Sequence, residues 1–160
     1  MEQRQVKPVP AGFHSLTPSL TVKDAAGAIE FYKRAFGAVE LNRAMAPDGK
    51  SIWHAELQIG DSRIMLADEN PNMGQGYTSA ATIGASPVSL YLYVPDVDKV
   101  VERAVAAGAK TLKPVQDQFY GDRSGFIRDP FGHLWSIATH VEDVSLEQMK
   151  ERMKKAMPAA

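Results

Sequence analysis

An internal repeat is the feature of this chain that most constrains its fold. The run Leu20–Asp24, LTVKD, is answered by Leu92–Asp96, LYVPD, and each run ends in an Asp that suits a helix N-cap. A helical stretch follows each Asp, and three segments with strand character follow each helix. Gly60 and Gly132 stand at the corresponding final turns. We therefore interpret the chain as one β-α-β-β-β unit written twice.

Hydrophobic periodicity predicts the elements of each repeat. In the first repeat, Ile29, Tyr32 and Phe36 fall on one helix face, and Gly37 ends that helix. The predicted strands of this repeat are Ser15–Lys23, Val39–Ala44, Ser51–Ile59 and Arg63–Ala67. In the second repeat, we predict a strand that runs into Tyr93, a helix from Asp96 to Gly108, a strand Thr111–Val115 and a two-stranded hairpin Tyr120–His140. A last helix, Ser145–Met157, begins with the capping box formed by Ser145 and Gln148.

The Tyr120–His140 hairpin contains both a tight turn and a charged pair. Its turn is Asp129-Pro130-Phe131-Gly132, in which Pro130 fixes φ and Gly132 can take the positive φ that closes such a turn. The charged residues Asp122 and Arg123 follow Gly121 at the mouth of the hairpin. Polar residues beside buried strands favour a functional site at this point, and a solvated loop is the alternative.

The predicted organisation is a single domain over residues 1–160. Module one covers about residues 14–68, module two covers 87–143, and the C-terminal helix covers 145–157. Residues 69–86 connect the modules and are rich in Gly, Asn and Ser, without periodicity. A segment of this kind is either a linker or a loop over a site.

Composition excludes several classes of function. The net charge of -1 and the lack of a Lys/Arg run interleaved with aromatic residues argue against a nucleic-acid partner. No apolar run is long enough to span a bilayer, and the first residues lack the apolar core of a signal peptide. The chain has no Cys, which excludes disulfides, a thiolate nucleophile and a Cys-ligated zinc. We expect a cytoplasmic protein with no membrane partner.

Four motifs resemble a known superfamily at matching spacing: Phe31–Gly37 (FYKRAFG), Met65–Glu69 (MLADE), Tyr120–Arg123 (YGDR) and Asp129–Trp135 (DPFGHLW). The chain resembles the vicinal oxygen chelate superfamily, which contains glyoxalase I, the extradiol dioxygenases and the bleomycin- and fosfomycin-resistance proteins. Within it, the chain is most similar to the PhnB-like branch. The resemblance implies an α+β fold in which two tandem β-α-β-β-β modules form a curved mixed sheet around a cavity, with helices on the outer face.

The superfamily holds a divalent metal through His, Gln or Glu side chains from four strands. By resemblance, these positions fall on Thr17, on Ser89, on Ser136, and near Ile64 or Met65. Hydroxyl groups are weak neutral donors and apolar side chains offer no ligand to a hard cation. We therefore expect no divalent metal at the superfamily positions and no other cofactor.

Strand alternation predicts which side chains face the cavity. His54 and Glu56 share the inner face of their strand. They are the candidate catalytic pair, with His54 as general base and Glu56 orienting its ring. The same pair could instead ligate an unorthodox metal, or form only a cross-strand or surface contact. The candidate ligand-binding residues are Tyr91, Tyr93, Arg63, Met65, Tyr120, Asp122, Arg123 and Ser136.

Three functions remain open at this level. The first is binding of a small molecule without turnover, as the resemblance to the bleomycin-resistance proteins implies. The second is a glyoxalase-like lyase or isomerase that uses His54 and Glu56, with or without a metal. The third is a structural or interaction role. We also expect a homodimer, because a single module supplies only half of a closed cavity, and modules can pair within one chain or across two.

Overall fold

The computed structural model describes residues 6–156 and divides into two units, one ending at Ile83 and the other beginning at Gly84. The boundary lies inside the predicted connection 69–86. Each unit contains one β-α-β-β-β repeat with a four-stranded mixed sheet, which confirms the α+β fold class and the duplicated module. Within 6–156, no helix is long and apolar enough to cross a membrane.

The first unit has its sheet in the order β1-β4-β3-β2. Its elements are β1 (Ser19–Val22), α1 (Ala25–Phe36), β2 (Val39–Met45), β3 (Ile52–Ile59) and β4 (Ser62–Asp68). Strands β1 and β4 pair in parallel, and the other neighbours pair antiparallel. The first strand is shorter than predicted, because the four residues before Ser19 do not continue the ladder.

Helix α1 shows how local sequence determines an element. The Asp24 side chain accepts a hydrogen bond from the Gly27 amide at 2.9 Å, so the helix begins where the N-cap rule predicts. Gly37 takes the left-handed conformation, with φ at 68°, and ends it. The predicted apolar face of Ile29, Tyr32 and Phe36 is buried, and its burial attaches the helix to one face of the sheet.

The connection after β4 is more ordered than the sequence indicates. It contains two 3-10 turns, Pro71–Met73 and Gln75–Tyr77, and a single helical turn, α2 (Ala80–Ile83). The Glu69 carboxylate accepts hydrogen bonds from the Ser79 amide and the Thr82 hydroxyl, both at 2.9 Å. Turns this short have no periodicity, so pattern reasoning misses them.

The second unit repeats the topology, with its sheet in the order β5-β8-β7-β6. Its elements are β5 (Ser89–Tyr93), α3 (Val97–Ala106), β6 (Lys110–Asp117), β7 (Asp122–Arg128) and β8 (Leu134–His140). Strands β5 and β8 pair in parallel. Gly132 has φ at 94°, as the predicted turn requires. Helix α4 (Leu146–Ala156) follows the confirmed capping box, and the predicted last residue, Met157, lies outside the described residues.

Candidate functional site

The second unit presents one sheet face away from α3. Tyr91 on β5 lies opposite Ser136 on β8, which lies opposite Phe126 on β7. Cross-strand partners point to the same side of a sheet, so these three side chains share the open face. The face bears a cavity of about 310 Å³, lined by Ser89, Tyr91, Lys113, Gln118, Tyr120, Ser124, Gly125, Phe126 and Ser136. The structure therefore brings together three of the predicted ligand-binding residues: Tyr91, Tyr120 and Ser136.

A buried carboxylate on this face contacts three other side chains. Asp122 is only 3% exposed, and its Oδ2 accepts hydrogen bonds from the Tyr91 and Tyr93 hydroxyls, each at 2.9 Å. Its Oδ1 lies 2.8 Å from Nδ1 of His140, and Nε2 of the same ring lies 2.9 Å from Asp143. The two tyrosine rings lie 5.1 Å apart and remain half-exposed. Their hydroxyls are therefore held in place while their aromatic surface stays open for contact.

The electrostatics of this cluster stabilise a charged Asp122. Burial opposes its ionisation, but hydrogen bonds from His140, Tyr91 and Tyr93 outweigh burial and hold the pKa of the carboxyl below its usual value. Hydrogen bonds to Asp143 and Asp122 raise the pKa of His140. Because both ring nitrogens face carboxylates, the doubly protonated imidazolium is the form that satisfies both contacts.

The tyrosines of the cluster stay protonated at neutral pH. Burial raises the pKa of Tyr91, and hydrogen bonds to Asp122 and Tyr120 raise it further. The hydrogen bond to Asp122 is the main cause that raises the pKa of Tyr93. Neither phenol is a general base at neutral pH, and the cluster therefore favours binding over proton transfer.

His140 is a member of this cluster that the sequence analysis did not identify as a site residue. The missed signal is the hairpin register. Asp122 precedes Phe131 by nine residues and His140 follows Phe131 by nine, and the two are cross-strand partners. Counting outward from the predicted turn Asp129–Gly132 would have placed Thr139 opposite Asp122, one position short of His140, because the connection includes His133 as well.

Arg123, a candidate ligand-binding residue in the sequence analysis, does not lie with Asp122 on the open face. Its guanidinium makes a two-pronged contact with Asp98 of α3, with both N···O distances at 2.8 Å, and a further contact with Asp117 at 3.1 Å. Adjacent residues of a strand point to opposite faces, so Asp122 and Arg123 cannot both face the cavity. Arg123 belongs to the helix-covered side.

The first unit brings together the other predicted residues. His54 and Glu56 share a face of β3, with Nε2 and Oε1 3.3 Å apart. Glu56 lies opposite Met65, and Gln58 lies opposite Arg63, so Met65 and Arg63 are on the same face. The Arg63 guanidinium stacks over the Phe13 ring at 4.5 Å. In residues 6–156, no group of three or more His, Cys, Asp or Glu side chains is arranged to hold a metal ion.

A second cavity, of about 480 Å³, is formed within the first unit by residues that follow β4 and by the β2–β3 turn. Trp53, Met73 and Tyr77 line it and are exposed. Its polar lining includes Asp68, whose carboxylate accepts hydrogen bonds from the Ala25 and Ile52 amides at 2.7 Å. The connection 69–86 thus contributes residues to the lining of a cavity.

Comparison with known proteins places the chain in a family. The profile of the Glyoxalase/Bleomycin resistance protein/Dioxygenase superfamily matches residues 12–137. An uncharacterized protein of Mycobacterium bovis is 45% identical over 140 residues, which are 87% of this chain and 91% of that protein. The crystal structure of TioX from Micromonospora sp. ML1 is similar at 32% identity and a TM-score of 0.62, over 79% of this chain and 98% of that one.

A more distant structure shares the fold alone. The genomically encoded fosfomycin resistance protein FosX from Listeria monocytogenes is 21% identical, with a TM-score of 0.61 over 85% of this chain and 97% of that one. The family profile and the 45% identical relative show the family, and the duplicated β-α-β-β-β module agrees with it. The chain belongs to the glyoxalase/bleomycin resistance protein/dioxygenase superfamily.

Proposed function

We propose that this protein binds a small organic molecule on the open face of its second unit, without chemical turnover. The observation that carries the proposal is the cavity beside Tyr91, whose ring is exposed while its hydroxyl is held by a buried carboxylate. Aromatic surface with a few fixed polar groups is the usual composition of a small-molecule site. The fixed hydroxyls reduce the ordering cost of binding, because the polar groups need not rearrange.

We further propose that no divalent metal resides at the superfamily positions. Ser136 has Tyr91 and Phe126 as its cross-strand neighbours, and Met65 has Ser19 and Glu56. This donor set does not fit a hard divalent cation, which needs several carboxylate or imidazole ligands together. Elemental analysis of the purified protein tests this, and about one tightly held metal per chain would contradict it.

A ligand screen tests the binding proposal. Thermal-shift measurements would use divalent metals, the methylglyoxal–glutathione adduct and glycopeptide drugs as the probes. We expect at least one organic probe to raise the melting temperature without being consumed, and Tyr91→Ala to abolish that shift. If no probe changes the melting temperature, a structural or interaction role is favoured instead.

Catalysis by the first unit is the alternative function. The 3.3 Å contact between His54 and Glu56 supports it, because a carboxylate beside an imidazole can orient the ring and stabilise its charged form. A lyase or isomerase reaction of the glyoxalase type would use His54 as the base. Turnover of the methylglyoxal–glutathione adduct that is lost in His54→Ala, and retained in Tyr91→Ala, would favour this alternative.

We also propose a cytoplasmic homodimer of the PhnB-like branch. Each four-stranded sheet ends in edge strands, β1 and β2 in one unit and β5 and β6 in the other, and pairing of edges protects them. Large apolar side chains of the edge strand β2, such as Val39 and Leu41, are exposed on the single chain, which favours a covered surface in an assembly. Light scattering that gives the mass of one chain, 17.5 kDa, at micromolar concentration would contradict the dimer.

A further inference from the structure

We propose that Asp122 makes the cavity of the second unit selective for ligands that present a hydrogen-bond donor, an amide N–H or a hydroxyl, to the tyrosine oxygens. This inference rests on the proposed binding function and names the class of ligand. It assigns to Asp122 a positioning role, since the carboxylate is buried behind the tyrosines and acts through them.

Three protons are directed towards one carboxylate. An ionised Asp has acceptor positions only, and a tyrosine hydroxyl has one proton to donate. The Tyr91 and Tyr93 hydroxyls each lie 2.9 Å from Oδ2, and Nδ1 of His140 lies 2.8 Å from Oδ1. The proton of each phenol is therefore already used inside the cluster.

The phenols that line the cavity are Tyr91 and Tyr120, and what they still offer to a ligand is oxygen lone pairs. Because the Tyr91 proton goes to Asp122, Tyr120 is the donor in its hydrogen bond with Tyr91, and its proton is used as well. A carbonyl placed against Tyr91 would set one acceptor against another, whereas an N–H or O–H would complete the network. The tyrosine side of the cavity can therefore only accept hydrogen bonds from a ligand, although an isolated tyrosine hydroxyl can both donate and accept them.

The direction of these hydrogen bonds is stable at neutral pH. A protonated Asp122 could donate to a tyrosine and release a phenol proton towards the ligand, but the contact with the His140 imidazolium favours the ionised form. Asp143 holds the other side of the ring. His140 therefore supports the acceptor character of the face without touching the ligand.

Lys113 further limits which donor-bearing ligands the cavity can bind. Lys113 is an exposed residue of the cavity lining, and its positive charge disfavours a second cation in the cavity. A neutral amide or a hydroxyl compound avoids this repulsion, and an acceptor elsewhere in the ligand can meet Lys113 or Gln118. We therefore infer amide-bearing or hydroxylated aromatic molecules rather than amines.

Matched pairs of fragments test this selectivity. Benzamide and N,N-dimethylbenzamide differ in their N–H donors, and phenol and anisole differ in one O–H donor. We would titrate each into the full-length protein and follow the backbone amide signals of β5 and β8 by NMR. The donor member of each pair should bind about five- to tenfold more tightly.

The outcomes separate this inference from the function it rests on. Equal affinity within both pairs, or tighter binding of the methylated members, would overturn donor selectivity and leave the binding site intact. An absence of shifts on this face with all four fragments would overturn the proposed site, and donor selectivity with it.

A substitution at Asp122 tests the positioning role directly. In Asp122→Asn, the side-chain oxygen can still accept from His140, so the new NH₂ group faces the tyrosines and releases their protons towards the cavity. We expect the preference to shift to the acceptor N,N-dimethylbenzamide, and an unchanged donor preference in the folded variant would overturn the proposal. If the variant fails to fold, Tyr91→Phe removes the acceptor oxygen and should abolish the preference. Tyr77→Phe, in the first unit, is the matched control and should retain it.

Discussion

Asp122 and His140 face each other across the β7–β8 hairpin, with Oδ1 and Nδ1 2.8 Å apart, and this contact fixes the polarity of the neighbouring tyrosine pair. The carboxylate is almost fully buried, whereas the imidazole is half-exposed. A buried charge persists only when donors surround it. In this protein, the donors come from β5 and β8, so one side chain connects three strands.

Removal of the Asp122 carboxylate should destabilise the second unit. In Asp122→Ala, the Tyr91 and Tyr93 hydroxyls and the His140 ring all lose their common acceptor. We expect the free energy of unfolding to fall by about 3 kcal/mol, measured by urea denaturation. Asp143→Ala removes the exposed partner of the same ring and is the matched control. A loss as large in the control as in Asp122→Ala would contradict the special role of the buried carboxylate.

The stability of the protein should depend on pH through His140. Its pKa is raised in the folded state above the ordinary value of 6.5, chiefly by the hydrogen bonds that it donates to Asp143 and Asp122. The stabilising contribution is therefore fully present below the unfolded pKa and is lost as the pH rises through the higher folded pKa. The difference in stability between the parent protein and His140→Gln should narrow as the pH rises from about 5 to about 9. A stability difference that stays constant or widens over that pH range would contradict this prediction.

A methyl group added at Gly125 should clash with Val115 of the neighbouring strand β6. A Cβ there would lie 2.9 Å from Cγ2 of Val115 and 3.5 Å from Cγ2 of Val101. We expect Gly125→Ala to lower the free energy of unfolding by about 1–3 kcal/mol, because the neighbours must move. Gly76→Ala is the control, since no atom lies within 4 Å of its added methyl. Val115→Ala combined with Gly125→Ala should recover part of the loss, and no recovery would contradict this explanation.

Binding should be insensitive to Arg123. Its guanidinium is held by Asp98 and Asp117 on the helix-covered side of the sheet. Arg123→Lys should therefore leave the affinity for any small-molecule ligand unchanged within experimental error, measured by calorimetry. A loss of affinity for acidic ligands alone would restore the recognition role that the sequence indicated for this residue.

The exposed ring of Tyr93 should contribute more to binding than to folding. In Tyr93→Ala, Asp122 keeps two of its three donors, so we expect a melting temperature close to that of the parent protein. The loss of aromatic surface should weaken ligand binding about tenfold. A variant that binds normally, or one whose main change is a lower melting temperature, would contradict this expectation.

Local sequence signals were enough to predict most of the helices and strands and the duplicated topology. Asp24 and Gly37 bound their helix through local hydrogen bonds and backbone conformation, and Gly132 closes its turn for the same reason. The contact between His54 and Glu56 was also predictable, because residues two apart on a strand share a face. Each of these features depends on neighbours within a few positions along the chain.

Which residues come together in the site depends on tertiary contacts that the local sequence does not show. The contacts of Asp122 with Tyr91 and Tyr93 join residues about thirty positions apart, and they require the parallel pairing of β5 with β8 as well as the hairpin register. Strand alternation separates Asp122 from Arg123, but which of the two faces the cavity depends on which face of β7 is covered by α3. The local sequence shows that a segment is a strand and which of its residues share a face. Which face becomes buried is set by the packing of the whole unit, because burial of that face minimises the exposed apolar surface.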